Sequence, residues 1–138
     1  MFKTIMTPVD LRHLDDLSHA LQVSADLANH YDAQVHYVGV TSATPGSLGH
    51  TPEEYGKKLK AFAEEQASKH GIKATADAVV SHDPSADVDD ALMKAIGTTG
   101  ADLVVMQSHM PSLMDYVWPS NGGKIAEHAK CSVMVVRG

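Results

Sequence analysis

Strand-like and helix-like segments alternate along the whole chain, and this alternation limits the fold more than any other feature of the sequence. Four strand–helix pairs are followed by one closing strand. Strands that alternate with helices form parallel sheets, joined by right-handed crossovers that place helices on both faces. The 138 residues suit one hydrophobic core. The sequence therefore predicts a single α/β domain over residues 1–138, with an open parallel five-stranded sheet and helices on both faces.

Each predicted element has a local signal. The five apolar segments predicted as strands are FKTIMTPVD, AQVHYVGV, KATADAVV, ADLVVMQ and SVMVV. The unbroken apolar run of ADLVVMQ indicates a central strand, and Val35, Tyr37 and Val40 are core candidates in the second strand. The first helix is predicted from an apolar repeat every three or four residues: Leu14, Leu17, Leu21, Ala25 and Ala28. The second begins at the cap Thr51-Pro52 with Glu54 and ends at Gly71. The third begins at Asp83-Pro84, and a short fourth helix runs from about Gly122 to Ala129. A loop is predicted from Thr41 to His50.

Charge and composition disfavour several kinds of partner and location. The formal net charge of −6 disfavours nucleic acid as a partner, because phosphate backbones select basic faces. No apolar run is long enough to span a bilayer, and the N-terminus lacks the pattern of a secretory signal. The single cysteine, Cys131, fits a reducing compartment and is expected to be a small buried filler. We expect a cytoplasmic protein that binds neither nucleic acid nor membrane.

The loops that follow the strands are the place to look for a ligand. In an open parallel sheet, ligands bind beyond the carboxyl ends of the strands, where the winding direction reverses. The stretch Met106–Lys124 follows the central strand and leads into a helix N-terminus, which favours anions. Two interpretations remain open at this point. Ser120 and Asn121 either help to bind a phosphate or only cap the helix.

Four sequence stretches resemble universal stress proteins of bacterial type. They are IMTPVD, VHYVGV, ADLVVMQSH and SNGGKIAEHAKCSVMVVR. The loop S-H-x-P after the fourth strand is similar to that of a short subgroup of this family. The resemblance implies a Rossmann-like, adenine nucleotide alpha hydrolase-like sheet with strand order 3-2-1-4-5. It also implies a homodimer paired through the final strand, which binds ATP or AMP and acts as a stress-response regulator rather than as a metabolic enzyme.

The resemblance also implies a nucleotide site. Its nucleoside half would be formed by Pro8, Val9, Asp10 and Val40, and its phosphate half by Gln107, Ser108, His109, Met110, Ser120, Asn121 and Gly122. The three glycines of the family's phosphate signature are replaced here by Gln107, Met110 and Pro119. Glycine lets a backbone approach phosphate closely, whereas proline removes an amide donor. The adenosine half is thus retained and the polyphosphate half is altered.

Three hypotheses follow for function. In the first, a shorter nucleotide such as AMP binds, or ATP binds in a shifted pose. In the second, Met110 and Trp118 fill the pocket, and the chain is a nucleotide-free dimeric interaction module whose loop Met110–Trp118 meets a protein partner. In the third, the chain is a hydrolase that uses His109. With no general base or metal-binding carboxylate pair evident at the loop, any ATP hydrolysis would be slow.

A metal site is not predicted. His13, His82 and His109 each follow a predicted strand, so they are expected at one edge of the sheet. A metal needs three or four convergent ligands. No H-x-x-x-H or CxxC spacing supports such a site.

Overall fold

The fold is described by a computed structural model, which covers residues 1–42, 51–81, 84–108 and 122–137. Strands and helices alternate as the sequence predicts. In chain order the elements are β1 (Thr4–Pro8), a 3-10 helix (Leu11–Leu17), α1 (Ser18–Tyr31), β2 (Gln34–Ser42), α2 (Pro52–His70), β3 (Lys73–Ser81), α3 (Pro84–Thr99), β4 (Leu103–Gln107), α4 (Gly122–His128) and β5 (Ser132–Val136).

The five strands form one sheet in the order β3-β2-β1-β4-β5, and every pairing is parallel. This confirms the predicted strand order. All five residues of β4 are buried, because the strand lies between β1 and β5 and is covered on both faces. The prediction of a central strand from its unbroken apolar run is therefore confirmed.

Alternate residues along the strands enter two separate cores. Ile5, Val35 and Val105 face α1 and α2, where they pack with buried side chains such as Leu59 and Phe62. Met6, Val38 and Val104 point to the opposite face, where Leu92 of α3 and Ile125 of α4 are buried. Successive side chains of a strand point to opposite faces, so a strand covered on both sides is apolar throughout. Helices on both faces are thereby confirmed, as is burial of the core candidates Val35, Tyr37 and Val40.

The start and end of α2 follow from three residues. The Thr51 hydroxyl accepts a hydrogen bond from the Glu54 amide at 3.2 Å, and Pro52 occupies the first helical position. Gly71 ends the helix in the left-handed conformation with φ of 64°, which glycine adopts without steric cost. Both ends of this helix lie where the sequence predicts them.

Two predicted boundaries are wrong. The helix predicted through Leu14 and Leu17 is divided, because a 3-10 helix occupies Leu11–Leu17 and α1 begins only at Ser18. His13 within the first part has a non-helical backbone, with φ −135° and ψ 41°. The loop predicted from Thr41 begins too early, since β2 continues through Ser42 by pairing with β3 up to Ser81.

Among the helices in the described parts of the chain, none combines the length and apolar character needed to cross a membrane.

Candidate functional site

The winding direction of the sheet reverses between β1 and β4. The chain builds outward from β1 through β2 and β3 on one side, and through β4 and β5 on the other. α1 packs over one face at this junction, and α3 and α4 pack over the other. Such a reversal opens a crevice beyond the carboxyl ends of the two strands, which is where open α/β sheets bind ligands.

Six of the predicted site residues lie at the carboxyl ends of adjacent strands β2, β1 and β4. They are Val40, Pro8, Val9, Asp10, Gln107 and Ser108. Backbone hydrogen bonds fix two of these ends: the Val9 amide donates to the Val38 carbonyl at 2.9 Å, and the Ser108 amide donates to the Val136 carbonyl at 2.7 Å. Gly122 begins α4. His109, Met110, Ser120 and Asn121 lie outside the described residues.

Asp10 is a buried carboxylate at the end of β1, with only 4% of its surface exposed. Its Oδ1 accepts from the Arg12 amide at 3.0 Å and from Arg12 Nε at 3.3 Å. Its Oδ2 accepts from Arg12 Nη2 at 3.4 Å. A buried charge is tolerated when it is paired and hydrogen-bonded. Arg12, which is more exposed, supplies that pairing, and the backbone bond also caps the 3-10 helix.

Tyr55 covers the neighbouring part of the sheet, and sequence reasoning missed it. This side chain belongs to the first turns of α2 and is 5% exposed. It packs on Gly39 of β2 so closely that a Cβ added there would lie 2.3 Å from the phenol oxygen. Burial raises the pKa of Tyr55, the Asp10 charge raises it further, and Arg12 lowers it. Tyr55 thus lies within electrostatic range of the Asp10–Arg12 pair. The sequence did contain a signal for this contact: Gly39 lies inside a strand, where a glycine often marks the close approach of another group.

A second feature missed from the sequence is a run of buried hydrogen bonds that joins β1, α1 and β4. Ser24 Oγ donates to the Ala20 carbonyl at 2.8 Å. A hydroxyl has one proton, so the Thr7 hydroxyl must be the donor in its 2.7 Å bond to Ser24 Oγ. The Ala20 amide in turn donates to Gln107 Oε1 at 3.2 Å. We call Thr7, Ser24, Ala20 and Gln107 the buried polar chain, since each is at most 1% exposed.

The remaining titratable groups do not converge in the parts of the chain described here. Within residues 1–42, 51–81, 84–108 and 122–137, no group of three or more His, Cys, Asp or Glu side chains is placed to hold a metal ion. His13 Nδ1 lies 3.9 Å from Asp16 Oδ2, while His82 and His109 fall outside those ranges. Cys131 is only partly buried, and this burial raises the pKa of its thiol.

Comparison with known proteins identifies the family. The family model described as "Universal stress protein family" matches residues 1–137. The chain belongs to this family. A curated relative, Universal stress protein G of Escherichia coli O157:H7, is 29% identical over 148 aligned positions, which cover 99% of this chain and 100% of the relative.

Solved structures of universal stress proteins share the fold. The Archaeoglobus fulgidus universal stress protein in complex with dAMP superposes with a TM-score of 0.68 at 17% identity, over 96% of each chain. An Arabidopsis thaliana family member with AMP bound gives a TM-score of 0.68 at 13% identity, over 98% of this chain and 91% of that one. At these identities the likeness shows a universal stress protein fold.

Proposed function

We propose that this universal stress protein binds an adenine nucleotide, ATP or AMP, in the crevice between the carboxyl ends of β1 and β4. The nucleoside would lie against Pro8–Asp10 and Val40. The phosphates would lie against Gln107–Met110 and Ser120–Gly122. The observation that carries this proposal is a buried carboxylate, Asp10, at the reversal point of the sheet.

The hydrogen bonds of Asp10 leave it able to accept from a ligand. A carboxylate has about four acceptor positions on its two oxygens. Two of the three Arg12 bonds go to Oδ1, and among the described residues Oδ2 accepts only the long bond of 3.4 Å from Nη2. A nucleoside hydroxyl is a donor that would use the remaining capacity of Oδ2. Arg12 keeps the pair neutral overall, so the carboxylate does not repel a bound phosphate.

The ligands of related structures support the same class. The Archaeoglobus fulgidus protein is in complex with dAMP, and the Arabidopsis thaliana protein has AMP bound. Both ligands are adenine nucleotides with one phosphate. A monophosphate suits a chain in which glycines of the phosphate signature are replaced by bulkier residues such as Gln107.

Nucleotide binding can be tested on the freshly purified chain. Gentle unfolding should release AMP or ATP, detected by mass spectrometry, and added nucleotide should raise the midpoint of thermal unfolding. Ligand at about 100 times its dissociation constant stabilises the folded protein by about 2.7 kcal/mol.

Asp10→Ala should weaken nucleotide binding about tenfold, the equivalent of about one hydrogen bond to a charged group. The affinity is best measured by calorimetry, because loss of the cap also lowers intrinsic stability by about 1 kcal/mol.

Asp15→Ala is the matched control, since it removes the same charge from an exposed position of the 3-10 helix that Asp10 caps. It should leave the affinity near that of the wild type. Equal affinities of wild type and Asp10→Ala would refute the nucleoside contact. A wild type that releases no nucleotide and shows no thermal shift would instead favour the nucleotide-free interaction module.

We further infer that the protein is a homodimer paired through β5. Val133, Met134, Val135 and Val136 make this edge strand apolar, and Met134 is 40% exposed. Within the described residues β5 pairs only with β4, so its other edge offers free backbone groups. Apolar edge strands tend to associate, and a second copy would cover both the edge and Met134.

Met134→Lys should convert the dimer to a monomer, because it introduces charged side chains where the two β5 strands meet. Sedimentation velocity would measure the change. Val80→Lys is the control, as Val80 is 48% exposed on β3, the opposite edge strand. If Val80→Lys dissociates the dimer and Met134→Lys does not, the interface lies at β3. A monomeric wild type would refute the dimer.

We also infer the wider role from family membership. The protein acts as a stress-response regulator in the cytoplasm. Any ATP hydrolysis would be slow.

A further inference from the structure

Strand β3 forms one edge of the sheet, and it lacks the features that usually protect such an edge. Within the described residues β3 pairs only with β2, through nine consecutive positions from Lys73 to Ser81 without a bulge. Proteins commonly shield an edge with a short strand, a bulge, a proline or several lysines. β3 is long, contains no proline and has a single lysine. Its outer backbone groups are therefore available to another strand.

The side chains of β3 show that there is room beside this edge. Thr75, Ala78 and Val80 are exposed, although helices cover both faces of the sheet. Thr75 points to the face that α3 covers, whereas Ala78 and Val80 point to the face that α2 covers. The helices thus leave the margin of β3 uncovered on both faces, so an incoming strand would not meet a helix.

The two charged residues of β3 have opposite signs and lie on one face. Lys73 and Asp77 are four positions apart, so both point to the α3 face. Lys73 Nζ lies 3.3 Å from Asp32 Oδ1, but these side chains are 60% and 90% exposed, and such pairs contribute little. Asp77 is 43% exposed, and its Oδ2 lies 2.9 Å from His36 Nδ1. Within the described residues its Oδ1 has no hydrogen bond, so both charged groups can take a further partner.

One antiparallel register between two copies of β3 pairs these charges twice. A two-fold axis through Thr75, perpendicular to the sheet, places Lys73 of each copy opposite Asp77 of the other. The two Thr75 side chains then also face each other. Opposite charges and threonine pairs stabilise adjacent antiparallel strands, whereas like charges directly opposite destabilise them. An axis through Asp77 would oppose two carboxylates, and one through Lys73 would oppose two ammonium groups.

We infer that the β3 edge docks a second copy of this chain, antiparallel, in the register that pairs Lys73 with Asp77. The contact is independent of nucleotide binding. Since β3 and β5 are the opposite edges of one sheet, it would join dimers paired through β5 into larger assemblies. Small and polar side chains flank β3, so this contact is weaker than pairing through β5. It forms only at concentrations above those at which Met134→Lys is monomeric.

The test uses the full chain with Met134→Lys as the parent, in which pairing through β5 is blocked. Sedimentation equilibrium at rising concentration should show a monomer–dimer association. Lys73→Glu or Asp77→Lys, added to this parent, should weaken the association about tenfold or more, because each turns two attractive pairs into repulsive ones. An equimolar mixture of the two variants should recover it, because opposite charges then face each other at both positions.

Lys130→Glu is the matched control, since it makes the same charge change at an exposed position outside β3. It should associate like the parent. Net charge alone predicts another result: the chain carries −6, so Asp77→Lys would associate more strongly.

Three results would overturn the inference. The first is a parent that stays monomeric up to about 1 mM. The second is an Asp77→Lys variant that associates as strongly as the parent. The third is a mixture of the folded Lys73→Glu and Asp77→Lys variants that associates no more strongly than either alone.

Discussion

Replacing Tyr37 with alanine should lower the free energy of unfolding by about 3–5 kcal/mol, while replacing it with phenylalanine should leave it unchanged or raise it. The side chain is fully buried, and its ring packs edge-on against Phe62 with centroids 5.1 Å apart. Alanine would leave a large cavity in the core beneath α2. The phenol oxygen, however, has no hydrogen-bond partner among the described residues. Removing a buried unsatisfied hydroxyl costs little and can stabilise.

The same hydroxyl should make the protein sensitive to alkali. Burial raises the pKa of Tyr37 from its ordinary value of 10.0 to about 12. The unfolded chain therefore ionises this group first as the pH rises. The free energy of unfolding is therefore unaffected by this ionisation below about pH 10, and it falls as the pH rises towards about 12. A shift of two pKa units corresponds to a fall of roughly 3 kcal/mol. Tyr37→Phe removes this group, so the variant should gain stability relative to wild type in that window.

Urea unfolding at about pH 8 and about pH 11 would measure both effects. Tyr31→Phe is a suitable control, because Tyr31 is only partly buried and its ring packs against Phe2 and His30. It should not reproduce the gain at high pH. A loss of more than about 1 kcal/mol in Tyr37→Phe at the lower pH would contradict the argument, since it would reveal a hydrogen bond worth that much.

The fold could be predicted from the sequence because its determinants are local. The short apolar segments of the strands, the Thr51 cap and the Gly71 stop are each encoded within a few positions. The split of the first helix was missed because the 3-10 turn depends on the Asp10 side chain and its bonds to Arg12. A three- to four-residue repeat of leucines does not distinguish a continuous helix from two that are joined at a bend.

The interior of the candidate site was less accessible to sequence reasoning. The ends of β1, β2 and β4 share one edge because the sheet order brings them there, and this order came from a resemblance. The buried polar chain joins Thr7 to Ser24 over 17 positions and Ala20 to Gln107 over 87. Neither pairing has a sequence motif. Gln107 was predicted as a site residue from its position, yet its contact with α1 emerges only in three dimensions.

Gly39→Ala should lower the free energy of unfolding by about 3 kcal/mol, at the upper end of the usual range for an overpacked core. The new Cβ would lie 2.3 Å from the Tyr55 oxygen and 3.0 Å from two ring carbons. The tip of a flexible side chain could move away cheaply, but Tyr55 is 5% exposed and has little room to move. The contact, rather than the backbone conformation of Gly39, is the cause of the expected loss.

A double-mutant cycle separates this contact from other effects of the substitution. In a Tyr55→Leu background the phenol is absent, so Gly39→Ala should cost at least about 1 kcal/mol less than in the wild type. Gly97→Ala is the matched control, because a Cβ at this exposed position of α3 has no neighbour within 4 Å. It should stabilise by about 0.5–1 kcal/mol through helix propensity. Additive costs of Gly39→Ala and Tyr55→Leu would show that the two residues do not constrain each other. A measured coupling would show that Tyr55 packs on β2 because position 39 lacks a side chain.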